Sequence, residues 1–130
     1  MKPRWADRAL TVCAYHYTLC TTPEMYYAEL KRLKIPPKDW GDGFLGATSH
    51  ARMQYFQCGG KYIAIVCIDN GNGQYSGIQI AALLCHEAVH IWQQHAVNIG
   101  SFNDHGDEEE AYAIQNIAQN LMELYQEQMK

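Results

Sequence analysis

The sequence predicts an α+β fold, with residues 1–130 forming one domain. Three observations carry this expectation. Ala51–Gln57 and Lys61–Ile68 flank Cys58-Gly59-Gly60 and read as a β-hairpin. Ile78 to Trp92 is a long apolar run of helical character, within a helix expected to reach about Val97. Glu108 to Gln128 repeats apolar residues on one helical face. Two long helices should therefore pack on each other beside a short antiparallel sheet that contains residues 61–68.

The elements follow in chain order. Leu10–Leu19 is rich in Val, Thr, Tyr and Cys and is expected as a first strand, with part of a helix as the alternative. Thr22-Pro23-Glu24 starts a helix: an N-cap hydroxyl, Pro at the first helical position and an early acid. Met25, Tyr26, Leu30 and Leu33 would form its packed side, and Pro36-Pro37 would end it. Lys38–Gly46 is a loop in which Trp40 is an anchor or a lid, anchors being commoner. The second hairpin arm, from Tyr62 to Ile68, is apolar on both faces and belongs inside the sheet. Asp69-Asn70-Gly71-Asn72-Gly73 is a turn; glycines stand where a calcium loop needs oxygen side chains. Ser76-Gly77-Ile78-Gln79 is a capping box that opens the first long helix, and Asn98 and Gly100 are its stop signals. The last helix presents Ala113, Ile114, Ile117, Leu121 and Leu124 to the core.

Composition narrows the function. A net charge of −4 and the lack of a basic patch argue against nucleic acid or an anionic membrane as the main partner. No segment approaches transmembrane length. Five cysteines, an odd number without a clear secretion signal, fit reduced thiols in the cytoplasm. Cys85, one residue before His86, is expected as a small core residue rather than a ligand.

The chemistry sits in His86-Glu87-Ala88-Val89-His90, an HExxH pattern within the apolar run. Residues at i and i+4 of a helix share a face, so two imidazoles there can grip one zinc ion with a carboxylate beside them. The competing explanation is a buried helix with two incidental histidines. A catalytic zinc usually takes a third protein ligand. Downstream donors are His95, Asp104, His105, Asp107, Glu108, Glu109 and Glu110. Glu110 precedes Ala113, Ile114, Ile117 and Leu121 at helical spacings, so it falls in line with the core stripe, where an unpaired charge is costly. That phase selects Glu110, with Glu109 second. Asp107-x-x-Glu110 is also a capping-box pattern, which would leave Glu110 a purely local role. The metzincin pattern fails, because Gln93 and Ala96 stand where it has other residues.

His86 to Gln93 followed by Glu109-Glu110-Ala111-Tyr112-Ala113 resembles the gluzincins, and more narrowly the small zincin-like proteins of phages and prophages. It is also similar to the peptidases that cut phage immunity repressors. The resemblance is specific over residues 78–121 and loose before them. It implies a minimal zincin-like domain in which His86, His90 and Glu110 hold zinc and Glu87 is the base. One departure stands out: Ile114 occupies the place where many gluzincins carry an Asp that holds a ligating His.

The expected reaction is zinc-dependent hydrolysis of a peptide bond, with Glu87 as general base on a zinc-bound water and a protein or peptide as substrate. His50, Tyr55, His95 and His105 are the candidate oxyanion donors, and each is more often structural than catalytic. The exposed edge of the hairpin sheet suits an extended peptide. The alternative is a catalytically inactive zincin-fold module that binds protein. Glu87 separates the two readings, because binding alone does not need it.

Overall fold

The computed structural model describes residues 2–7, 13–46, 50–69, 73–99 and 107–130. The chain runs through β1 (Tyr15–Cys20), α1 (Pro23–Arg32), a 3₁₀ turn at Pro37–Asp39, β2 (Ala51–Cys58), β3 (Lys61–Ile68), α2 (Gly77–Asn98) and α3 (Asp107–Gln128). The fold is α+β, with a sheet ordered β1-β3-β2.

Local chemistry explains the boundaries. Thr22 caps α1 by accepting the Met25 N–H, and Pro23 follows where a missing N–H costs nothing. The helix stops before the prolines, in a Schellman arrangement: the Lys34 N–H reaches the Lys31 carbonyl and the Ile35 N–H reaches that of Leu30. Lys34 takes the left-handed conformation this requires, at φ 61°, a place where glycine is usual. Gly59 and Gly60, at φ 57° and 79°, form the two-residue turn of the β2–β3 hairpin. Ser76 and Gln79 complete a reciprocal capping box at the start of α2.

The sheet corrects one expectation. It is mixed, not antiparallel: β2 and β3 are antiparallel, whereas β1 pairs with β3 in parallel, Tyr15 opposite Tyr62 through Cys20 opposite Cys67. Burial decides which strand is central. The hairpin makes β3 antiparallel to β2 and leaves the direction of β1 open. β3 is buried on both faces from Ile63 to Ile68 and cannot sit at an edge. It therefore comes between the other two, and β1, on its remaining edge, runs parallel to it.

Helices cover both faces. Tyr17, Leu19, Ala64, Val66 and Ile68 meet Leu84, Ala88 and Ile91 of α2 and Ile117 and Leu121 of α3. On the other face Cys20, Ile63, Ile65 and Cys67 meet Met25, Tyr26 and Leu30 of α1. Trp40 is an anchor: its indole N–H donates to the Ile35 carbonyl at 2.8 Å and its ring lies 5.5 Å from that of Tyr27. Beside β1 runs the segment of residues 4–7, with the Ala6 N–H on the Tyr17 carbonyl and the Thr18 hydroxyl on the Arg4 carbonyl. Among the described residues no strand pairs with the outer side of β2, and no helix is long and apolar enough to cross a membrane.

The first strand begins at Tyr15, later than expected; residues 8–12 lie outside the described set. The packed side of α1 holds one residue that periodicity passes over. Glu29 is buried at 2 % exposure. It accepts the Trp5 indole N–H at 2.9 Å and two Arg32 N–H groups at 2.8 and 2.7 Å. Burial pushes its carboxyl upward, but the bonds from Arg32 and Trp5 and the charges of Arg32 and Lys2 outweigh that and hold it below its ordinary value. A carboxylate lowered in the folded state adds stability that is fully present above its unfolded value of about 4.3 and is lost as pH falls through the folded value. Glu29→Gln is therefore expected to be less stable than the wild type at pH 7, by about 1–3 kcal/mol. The gap should close on acidification towards pH 3. Thermal melts of both proteins across that range check this; a gap independent of pH would contradict it.

Candidate metal and catalytic site

The HExxH residues lie in the middle of α2, whose buried stripe contains Leu84, Glu87, Ala88, Ile91 and His95. A helix turns about 100° per residue, so the phase that buries Glu87 leaves His86 and His90 on an exposed flank. The same phase exposes Cys85, which corrects its expected place in the core.

The two imidazoles converge. Their Nε2 atoms are 3.1 Å apart, and the rings meet edge to face with centroids 4.7 Å apart. Two nitrogens bound to one tetrahedral zinc at 2.0–2.1 Å would lie about 3.3 Å apart. His90 Nδ1 contacts Gln93 Oε1 at 3.2 Å. An amide oxygen only accepts, so this contact favours a proton on Nδ1 and leaves the Nε2 lone pair for a cation. The pair thus fits one half of a zinc site.

Glu87 is 4 % exposed and lies against the sheet. Burial pushes its carboxyl up, and the neighbouring His86 and His90 only partly offset this. Tyr55, on the edge strand β2, donates its hydroxyl to the His90 carbonyl at 3.1 Å. Burial raises the Tyr55 phenol well above its usual value, and Tyr15 and Glu87 add to the shift. Its hydroxyl therefore keeps its proton at neutral pH.

Glu110 stands in the first turn of α3 and is exposed, as is Glu109. Helical phase aligns Glu110 with the core stripe, in which Ile117 and Leu121 are fully buried. Burial fades towards the helix start: Ile114 and Ala113 are half-buried, and the stripe has reached solvent at Glu110. The cost of a buried charge is therefore absent, and helical phase alone separates the two acids. Among the described residues no three His, Cys, Asp or Glu side chains are grouped to hold one ion. Asp104 and His105 lie outside the described residues.

The remaining oxyanion candidates separate. His50 bonds through Nδ1 to the Tyr75 hydroxyl, just ahead of α2, and about 13 Å of helical rise separates the start of α2 from His86. His95 is 2 % exposed, and its Nδ1 accepts the Ala14 N–H at 2.8 Å. It is a structural residue that ties the approach to β1 onto α2. Tyr55 alone of the described three adjoins Glu87 and His90. Alternation along β2 and the hydroxyl of Tyr55 were both readable in the sequence; its pairing with this particular turn of α2 was not.

Comparison with known protein families, characterised proteins and solved structures finds no match.

His95→Leu keeps the bulk but leaves the Ala14 N–H without its acceptor. A loss of about 1–3 kcal/mol is expected, the usual cost of orphaning a buried donor. Urea denaturation measures it, and an unchanged midpoint would remove His95 from the structural account.

Proposed function

We propose that this chain is a zinc-dependent peptidase of gluzincin type, with Glu87 as general base and a protein or peptide as substrate. The observation that carries the reading is the convergence of His86 and His90 Nε2 at 3.1 Å, with Glu87 between them in sequence. His86 and His90 would hold the metal, with Glu110 as third ligand and Glu109 as the alternative. When bound, zinc supplies a water acidic enough to ionise near pH 7 and polarises the scissile carbonyl.

The chain's own groups do the rest. Glu87 takes the proton of the attacking water and returns it to the leaving amine. Gln93 orients the His90 ring. Tyr55 would steady negative charge on the carbonyl oxygen by turning its one O–H away from the His90 carbonyl, to which it donates in this structure. The outer edge of β2 offers backbone groups to an extended peptide by strand addition. That same edge, together with the exposure of Glu110, supports the second reading, a zincin-fold module that binds protein without cutting it. Five cysteines, none of them bridged, support a reducing cytoplasmic setting.

Glu87→Gln should retain fold and zinc while peptide cleavage falls about 10²-fold or more, the scale of losing a general base. Cleavage undiminished in that variant would end the mechanism. His86→Ala and His90→Ala should lose zinc outright, and Gln93→Ala should weaken it about tenfold. Competition with a chromogenic chelator reads all three. The same titration on Glu110→Ala and Glu109→Ala assigns the third ligand: the expected result is loss in the first and little change in the second.

A further inference from the structure

A pocket of about 330 Å³ opens beside the candidate site, lined by Tyr15, Tyr55, Phe56, Gln57, Tyr62 and Asn98. Tyr55 belongs to both: its hydroxyl rests on the His90 carbonyl, and its ring forms a wall of the pocket. The pocket therefore shares the Tyr55 wall with the HExxH turn and extends towards Asn98, about 12 Å of helical rise beyond His90.

The lining has a consistent electrical character. Three tyrosine rings crowd together, Tyr15 at 5.6 Å from Tyr55 and 5.5 Å from Tyr62 between centroids. Ring faces carry partial negative charge and attract cations. Asn98 gives an amide N–H to the Tyr15 oxygen, and the other end of that amide is an acceptor. Gln57, exposed on β2, supplies a second amide. Asn98 also ends α2, a helix of 22 residues, so the pocket lies at the helix terminus that favours positive charge. Among the described residues no Lys, Arg or His lines the pocket, and no Asp or Glu, so its attraction for a cation comes from ring faces and dipoles alone. Lys61 is close in sequence to Tyr62, but side chains alternate along β3, and Lys61 shares the face of Ile63 and Ile65, away from α2.

We infer that this pocket receives a basic side chain, Lys or Arg, of a peptide whose backbone lies along β2. The inference rests on the hydrolytic reading for its meaning as substrate selection; binding itself does not. The stem of such a side chain packs on the tyrosine rings, while its charged head meets ring faces, amide oxygens and the end of the helix.

The test is a set of four tetrapeptide amides, identical except for one central residue: Arg, Lys, norleucine or Glu. Their affinities for zinc-loaded Glu87→Gln protein are measured by calorimetry. Arg and Lys peptides should bind about tenfold or more tighter than norleucine, the effect of a favourable cation–ring contact. Glu should bind weakest. Gln57→Lys, a change at an exposed position, should abolish the preference for Arg over Glu or invert it; circular dichroism confirms that this variant is folded. Norleucine binding as tightly as Arg would overturn the inference, as would binding by none of the four, or an Arg-to-Glu ratio that Gln57→Lys leaves unchanged. The two readings fail separately. A protein that prefers Arg and Lys yet cleaves none of these peptides as wild type keeps the pocket and loses the peptidase. One that cleaves all four equally keeps the peptidase and loses the pocket.

Discussion

β3 must be covered on both sides. Ile63, Ile65 and Cys67 project one way and Ala64, Val66 and Ile68 the other, and all six are buried. The Ile and Val side chains among them are each worth about 1.5–3 kcal/mol when taken from water. No arrangement that leaves β3 at an edge, or leaves one of its faces bare, recovers that energy. From this one demand come the central position of the strand, a partner on each of its edges, and the helices on the two faces. It also decides where α2 lies, and hence which side of the HExxH helix is pressed inward.

Glu87 illustrates the tension this creates. It occupies the buried stripe of α2 between Leu84 and Ile91, where an aliphatic residue would serve packing better. Glu29 is buried too, but the Arg32 guanidinium and the Trp5 indole compensate it. For Glu87 burial dominates, and the two histidines of the motif offset it only in part. The two buried acids thus differ in kind. The bonds of one hold a helix in place, whereas the other sits beside an exposed pair of imidazoles able to meet a cation.

Much of this was legible in the residues. The hairpin and both long helices announced themselves through glycines, caps and periodicity, because those signals act within a few residues of one another. The double-sided apolarity of β3 even contained the information needed to order the sheet; the direction of β1 is not in it, and the antiparallel expectation had no local signal to correct it. The convergence of His86 and His90 was equally local, set by a single helical turn. What escaped was relational. Glu110 has the right helical phase, yet the depth of packing along α3 depends on where α2 ends and what leads into α3. The Tyr55 contact depends on the stagger between an edge strand and a helix more than thirty residues later. Cys85 was assigned to the core from its 100° offset from His86, but the phase that buries Leu84 and Glu87 carries it outward.

The thiols form a gradient of accessibility from the centre of the sheet outward. Cys20 and Cys67 stand opposite each other on β1 and β3, fully buried. Burial pushes the Cys20 thiol up to about 12, and Cys67 is raised as well. Neither offers thiolate to a reagent at neutral pH. Cys58 is half-buried and gives its S–H to the Leu33 carbonyl at 3.2 Å. Cys85 is exposed, one residue ahead of His86 on the same helix. Mild alkylation would therefore mark the native protein first at Cys85, and a fluorophore attached there would report events at the histidine pair without an engineered cysteine.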